Sequence, residues 1–382
     1  MRFTHDQLEW ESVRRGIEGQ AELLETAPDN LYASVSSLLD GRPPGRLYFV
    51  GCGDSYFCGL AARLAAELLT GITCEPLESL EFSRYALRTA PADSWVVGVS
   101  NSGDVARTVE SLKYARQAGL RTIGITYNAD SRLARNADVV INYDYRHVGF
   151  GPGTMSYVAS LLSLITVAIK VAEIRGRLDA GAAAQKLAEL KAAGPVLRAT
   201  IKAMDVPAKA LAKTLADATP VFALGAGPNY ATALFTMAKM IESARHNTVA
   251  QQLEEWAHEQ FFVCGPGTVT MVYAPPGSSL NRAREQLEAI RDMGGTGVAV
   301  CESGDLQTAS LADVVLPVVG NVAEELSPLV YLAAGELIAY HFAVHSHKVM
   351  LGFDDSRRKE VNFRQIFGSD IPETIEVAGR AS

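Results

Sequence analysis

Cysteine is scarce in this chain: five in 382 residues, an odd number, at positions 52, 58, 74, 264 and 301. No two stand in C-x-x-C spacing, so nothing points to a zinc knuckle, a thioredoxin-like site or a disulfide framework. Basic charge is also short. Lys and Arg number 35 against 43 Asp and Glu, a net charge of −8, which argues against a nucleic-acid partner and suits a soluble enzyme. Long apolar runs are missing as well. The opening MRFTHDQLEWESVRR has no apolar stretch of signal-peptide length. The longest candidate, Ser156 to Ala172, is interrupted by Ser160, Ser163, Thr166 and Lys170, short of the ~20 apolar residues a membrane span needs. The expectation is a cytoplasmic protein with reduced thiols and no membrane contact. What is present, 48% apolar and 20% charged residues, is ordinary for a chain with a sizeable core, and the length suits two domains.

The chain repeats itself. RLYFVG (46–51) and PVFALG (220–225) both end in glycine before a helical stretch, and Gly51 and Gly225 are 174 apart. ADVVI at Ala137 and ADVVL at Ala312 are 175 apart, and WVVGVS (95–100) pairs with TMVYAP (270–275) at a similar offset. Three landmarks at one offset predict two homologous halves. Each alternates short apolar strands, such as TIGIT (122–126) and GVAVC (297–301), with amphipathic helices, such as Val105 to Ala118 and Leu280 to Met293. That pattern predicts parallel strands buried on both faces in a three-layer α/β/α sandwich with right-handed crossovers. The layout reads as an N-terminal helical segment (1–33), a first domain (34–180), a linking helix (181–215), a second domain (216–350) and a tail (351–382). Pro195 and Pro207 predict breaks in the helical linker. The tail from Asp354 reads as polar and irregular, with Arg357, Arg358 and Lys359 close together.

Ligands of parallel α/β sheets bind beyond the carboxyl ends of the strands. Two loops there are chemically distinctive. In GCGDSY (51–56), Gly51 and Gly53 permit a tight turn and Ser55 falls near a helix start. In SNSGD (100–104), Ser100, Asn101 and Ser102 put three polar side chains on one turn, with a helix beginning near Asp104. Together they could hold a phosphate with hydroxyls and amides and no metal or other cofactor. Either loop alone is also compatible with plain turn chemistry; two at the strand ends of one half favour a ligand. The second half offers GAGPNY (225–230) and PPGSS (275–279). The latter lacks the SNSG pattern, so one half binds and the other supports. His341, His345 and His347 have helical metal-ligand spacing, but with no carboxylate or cysteine cluster beside them they read as a helix end. Cys52 reads as a small buried residue. Neither a full G-x-G-x-x-G nor a Walker loop is present.

On these loops the chain resembles the sugar isomerase (SIS) family, in particular its double-SIS members. These include the isomerase half of glucosamine-6-phosphate synthase, fructosamine-6-phosphate deglycases and tagatose-type ketose/aldose isomerases. The resemblance covers nearly the whole chain and implies two tandem SIS domains, each with a five-stranded parallel, flavodoxin-like sheet. GIEGQAELL (16–24) is similar to the family's opening helix, with Ala21 where a proline is usual. GCGDSY is similar to the first sugar-binding loop, SNSGD to the phosphate loop, and GPGTMSY (151–157) to the turn before the long helix. The implied substrate contacts are Cys52, Gly53, Asp54, Ser55, Ser100, Asn101, Ser102, Asp104, Val105 and Thr108. KMIE (239–242) and QLEEWAH (252–258) supply the most specific match: Glu242 and His258 are sixteen apart, as a family catalytic glutamate and histidine are. By resemblance Glu242 moves a proton between the two carbons of an aldose–ketose pair through an enediol. His258 assists ring opening and can reach into a partner subunit's site, which implies a homodimer with shared sites. Glu255 orients the sugar or the histidine. A base of this kind suits the chemistry, because moving a carbonyl by one carbon needs removal of the adjacent proton.

The chain also departs from the family pattern. Position 2 is Arg2, not a glutaminase nucleophile, so no ammonia from glutamine is expected. Val361 falls where the synthase has a ring-opening lysine. Asp54 replaces a Thr or Ser beside the phosphate, Val105 replaces a hydroxyl, and Glu259-Gln260 follow His258 in place of Gly-Pro. Three readings therefore stay open: an isomerase or deglycase for a sugar phosphate or amino-sugar derivative, a sugar-binding regulator without catalysis, and a lyase-type SIS enzyme.

Overall fold

The computed structural model describes residues 10–145, 148–149, 151–215 and 220–373. The described residues open with helix α1 (Trp10–Leu38). The first sheet contains β1 (Arg46–Gly51), β2 (Cys74–Glu78), β3 (Ser94–Val99), β4 (Arg121–Thr126) and β5 (Val139–Asn142). They lie in the order β2-β1-β3-β4-β5 and all pair in parallel. The helices between them are α2 (Asp54–Thr70), α3 (Ser79–Arg84), α4 (Ala106–Gln117) and α5 (Arg132–Arg135). Two long helices come next, α6 (Met155–Ile174) and α7 (Ala180–Thr214).

The second sheet contains β6 (Val221–Gly225), β7 (Thr248–Gln252), β8 (Val269–Ala274), β9 (Thr296–Glu302) and β10 (Val314–Val318). Its order is β10-β9-β8-β6-β7, which read from the other edge is the 2-1-3-4-5 order of the first sheet and of flavodoxin-like folds. Its helices are α8 (Pro228–Ala244), α9 (Glu255–His258), α10 (Leu280–Asp292), α11 (Leu306–Ala309) and α12 (Pro328–His345), and α13 (Ser356–Phe367) is the last helix among the described residues. The central strands obey the expected rule of burial on both faces: all six residues of β3 and of β8 are buried.

The chain divides into two compact units. One gathers the described residues of 26–146, 156–191 and 356–382; the other gathers those of 1–25, 147–155 and 192–355. The first unit's core packs Tyr48, Val50, Phe82, Val96 and Leu112 together. Gly98 lets α4 come close, since a Cβ there would lie 2.8 Å from Leu112 Cγ. The second unit's core centres on Leu224, Trp256, Val272, Leu287 and Ile290.

Three expectations fail, each for a physical reason. Pro195 and Pro207 lie inside α7 and do not break it. Buried Leu190, Ala193, Leu197, Ile201, Met204, Ala208 and Leu211 recur every three or four residues through both prolines, and this seam keeps the helix whole despite the lost backbone bonds. The tail is not irregular. Residues 356–367 form α13, where Phe363 and Phe367 meet one turn apart at 5.4 Å between rings. Finally, α6 is long and apolar enough to cross a membrane by length and composition, with mean hydropathy 1.8. Its hydroxyls interrupt the apolar run less than their polarity implies, because Ser163 and Thr166 donate to Ala159 O and Leu162 O in the preceding turn (2.8 and 2.7 Å). Of its most apolar 18-residue stretch, 89% is buried inside the protein, as in a core helix.

Candidate functional site

The two distinctive loops meet at the carboxyl edge of the first sheet, after the adjacent strands β1 and β3. Here the strand order reverses direction, the usual ligand crevice of such sheets. After β1 the chain folds back sharply. A Cβ on Gly51 would lie 2.6 Å from the Ser55 carbonyl carbon. Gly53, at φ 54° and ψ −128°, precedes α2 without a side-chain cap. Cys52 donates its thiol to Glu78 Oε1 (3.2 Å). Glu78 Oε2 in turn caps α3, accepting from the amides of Leu80 (2.7 Å) and Glu81 (3.2 Å). Burial, then the neighbouring Glu78 carboxylate, push the Cys52 thiol up to about 11 against the pull of Ser79 and Thr108. This thiol is a neutral donor, not a nucleophile.

After β3 the loop is held from within. Ser100 O and Ser100 Oγ both accept from Gly103 N (3.0 and 3.1 Å), and Ser102 Oγ accepts from Asp104 N (3.2 Å). Asn101 Oδ1 accepts from the hydroxyls of Tyr143 (3.0 Å) and Tyr145 (3.3 Å), which leaves Nδ2 to donate elsewhere. Asp104 Oδ1 accepts from Arg132 N (3.0 Å). Val105 precedes α4 with no side-chain cap, and the first turn of α4 carries no acid but does carry Arg107. The start of α2, by contrast, carries Asp54. With the Asp104 carboxylate beside α4 engaged by Arg132 and Asp54 in the first turn of α2, an anion is opposed less over the start of α4 than over the start of α2.

Two expected contacts turn inward. Thr108 is fully buried. Its hydroxyl shares a bond with Ser79 Oγ (3.1 Å) and stands 3.8 Å from Cys52 Sγ, so it ties α4 to the first loop instead of facing a ligand. Ser100 is buried too and shapes its own turn. Cys52, expected to be buried, is half-buried. Glu78, Ser79, Tyr143, Tyr145 and Arg132 belong to this constellation, and the motifs did not reveal them. The one available signal is that Glu78 ends a strand and Ser79 and Tyr143 directly follow strands, at the same sheet edge.

Glu242, Glu255 and His258 belong to the other unit. Glu242 lies in the last turn of α8, a third exposed, and its Oε2 accepts from Lys239 Nζ (2.6 Å), an ammonium only 2% exposed. Lys239 also stands 4.8 Å from the centre of the Phe235 ring. His258 is 66% exposed, and its Nε2 lies 3.3 Å from Glu254 Oε1, which also pairs with Arg282. Glu255 is exposed beside buried Trp256. The sixteen-residue spacing does not bring Glu242 and His258 together. A helix joining neighbouring parallel strands runs against them, so the end of α8 lies at the amino edge of β7 whereas α9 comes after its carboxyl edge.

The second sheet's loop at Gly277-Ser278 is already filled. Glu324 Oε2 accepts from Ser278 N (3.2 Å), and a Cβ on Gly277 would lie 2.2 Å from Glu324 Cδ. A resident carboxylate takes the place where the first half presents an open turn. Of the three histidines, His341 bonds Asp205 Oδ1 (2.9 Å), which Arg14 also engages. Among the described residues no group of three His, Cys, Asp or Glu is placed to hold a metal ion.

Residues 42–170, which carry both loops, match the SIS domain family. The chain is 28% identical over 297 residues to glutamine–fructose-6-phosphate aminotransferase (isomerizing) of Pseudomonas putida, covering 77% of this chain and 48% of the relative. The Caulobacter vibrioides enzyme of the same name is 27% identical over 343 residues, covering 89% and 55%. The chain thus spans about half the length of the curated relatives it matches. Among solved structures, the C-terminal domain of glucosamine-fructose-6-phosphate aminotransferase from Francisella tularensis has a TM-score of 0.76 at 19% identity, covering 91% of this chain and 98% of that one. Glucosamine-6-phosphate deaminase from Thermotoga maritima has a TM-score of 0.70 at 18% identity, covering 88% and 96%. The structural likenesses share the α/β fold, and the segment that holds the two loops, residues 42–170, is the part that matches the SIS domain family.

Proposed function

We propose that this protein is a sugar isomerase or deglycase that acts on a phosphosugar or amino-sugar derivative by proton transfer through an enediol or enediolamine. The observation that carries the reading is the asymmetry of the two helix starts in the SIS domain. Over loop 100–105 the uncapped amides of α4, Asn101 and Ser102 suit a phosphate. At the neighbouring loop, Asp54 suits the hydroxyls or the ammonium of an amino sugar. Cys52, Gly53 and Ser55 belong to that same 51–56 loop. In this reading two tandem SIS domains make up the chain, and only the first binds, because Glu324 fills the corresponding turn of the second.

Glu242 is the base that takes a proton from the carbon beside the carbonyl and returns it to the neighbouring carbon. Its pairing with Lys239 fixes how the carboxylate faces. His258, beyond the opposite end of β7 from Glu242, serves the site of a second copy in a homodimer, with Glu255 orienting it. The reading gives no residue here a part in glutamine hydrolysis.

The test is solvent exchange in deuterium oxide, monitored by proton NMR with fructose 6-phosphate and glucosamine 6-phosphate. Wild type exchanges the carbon-bound proton next to the carbonyl. Glu242→Gln loses exchange while the sugar still raises its melting temperature, since binding stabilises by mass action. Exchange at near wild-type rate in Glu242→Gln removes Glu242 as the base. Stabilisation without exchange in wild type supports a binding-only regulator instead.

A further inference from the structure

The C-terminal tail returns to the first unit and runs along α4. Tyr114 OH donates to Pro372 O (2.9 Å), Lys113 Nζ to the same carbonyl (3.4 Å), Gln117 Nε2 to Glu373 O (3.1 Å) and Arg107 to Asp370 O. Ile371 packs against the first core. These donors all reach main-chain carbonyls, so they fix the path of the tail largely irrespective of its side chains. Arg107, Tyr114 and Gln117 are seven and three residues apart, on one face of the helix that begins at loop 100–105.

Arg132 joins this strap to the loop itself. Its amide donates to Asp104 Oδ1 (3.0 Å), and Nε stands 3.5 Å from the same oxygen. Its Nη2 donates to Asp104 O and also to Phe367 O (2.8 Å), at the end of α13. One guanidinium nitrogen thus touches both the turn before α4 and the start of the tail. The next residue closes the loop from behind, with Leu133 N donating to Gly103 O (2.8 Å). A guanidinium is planar with donors in a fixed fork. Shifting the tail therefore turns the same rigid group that holds Asp104, next to the uncapped helix start.

We propose that Arg132 is a positioning residue that couples seating of the C-terminal tail to the shape of loop 100–105, so that affinity for an anion at that loop depends on the tail. The ligand half of this statement rests on the function proposed above; the mechanical coupling does not. A residue that merely stabilised the loop would act the same way with or without the tail.

A double-mutant cycle separates the two cases. It compares wild type, Arg132→Ala, a chain ending at Ile366, and the two changes combined. Hydrogen exchange of amides 101–109 is read in the ligand-free proteins, and the Kd for inorganic phosphate is read by calorimetry. Each single change is expected to speed exchange in that segment and to weaken phosphate binding about ten-fold, and the combination to do no more than either alone. Additive effects, or truncation that leaves exchange at 101–109 unchanged, overturn the coupling. If wild type does not bind phosphate, the anion assignment falls, yet the exchange data still decide the coupling. Should the shortened chain fail to fold, Tyr114→Phe replaces it in the cycle with the same criterion of non-additivity. Arg132→Lys, which keeps the charge without the fork, should behave like Arg132→Ala.

Discussion

Gly53 and Gly227, 174 positions apart, hold almost the same backbone conformation: φ 54°, ψ −128° and φ 53°, ψ −131°. Each precedes a helix without capping it by a side chain. Each also stands two residues after a glycine, Gly51 or Gly225, whose added Cβ would run into the backbone of the coming helix. The same sharp turn has been built twice, which is why RLYFVG and PVFALG look alike. The helices that leave the two turns start differently, one with Asp54 and the other with Pro228.

These two glycines can be tested as backbone devices. Nothing lies within 4 Å of a Cβ placed on Gly53 or on Gly227, so alanine there meets no steric neighbour and pays only for a conformation that L-residues avoid. Gly53→Ala and Gly227→Ala are each expected to cost about 1–3 kcal/mol, seen as a lower urea midpoint. Gly51→Ala should cost more, because strain and collision act together. A midpoint for Gly53→Ala equal to wild type would show that the turn relaxes freely.

The strands of the repeated landmarks and the limits of α4 and α10 were legible because apolar runs of strand length and amphipathic runs of helix length punctuate those stretches cleanly, whereas the edge strands β2 and β7 were not singled out. The helix expected from Val105 to Ala118 runs from Ala106 to Gln117, and the one expected to end at Met293 ends at Asp292. The glycine and serine loops were legible because turns demand those residues. Less legible was everything fixed by distant partners. Arg132 carries no local sign that it spans Asp104 and Phe367, and Glu78 looks like any strand-end acid until the Cys52 thiol is seen against it. Proline rules misread α7 because a buried seam can hold a helix through two prolines. The sixteen-residue interval between Glu242 and His258 measures the remainder of a helix plus a strand, not a distance in space, so spacing alone could not say that they lie beyond opposite ends of β7.

The Cys52 thiol gives a chemical test of the loop. With its pKa pushed up to about 11, roughly one part in a thousand is thiolate at pH 8, against about a quarter of an unperturbed thiol. Alkylation of Cys52 by iodoacetamide, read by peptide mass spectrometry, is expected to be about two orders of magnitude slower than that of a free cysteine. Its rate should keep rising with pH to about 11. A plateau near pH 8.5 would mean that the thiol is not held by burial and Glu78 as the geometry requires.

The sharpest stability test is Glu110, a fully buried carboxylate on α4. Arg84 grips it with two bonds, Nε to Oε1 (2.7 Å) and Nη2 to Oε2 (2.9 Å). Ser83 Oγ donates to Oε1 (2.9 Å) and Arg107 to Oε2. Burial of this charge is tolerable only because two cations and a hydroxyl surround it. Glu110→Ala removes the shared anion and leaves two guanidinium groups facing each other at the base of the loop-bearing helix. The expected loss is about 3–5 kcal/mol, the usual cost of breaking a buried pair by deleting one partner. Glu110→Gln keeps the shape and hydrogen-bonding atoms but not the charge, so it should fall between wild type and Glu110→Ala. Because Arg107 also donates to Asp370 O, both variants should loosen the tail, and hydrogen exchange at 101–109 should quicken in step with the stability lost. Denaturant midpoints and exchange rates that leave Glu110→Ala within about 0.5 kcal/mol of wild type, the range of ordinary surface changes, would show that the carboxylate is not the electrostatic centre of this helix.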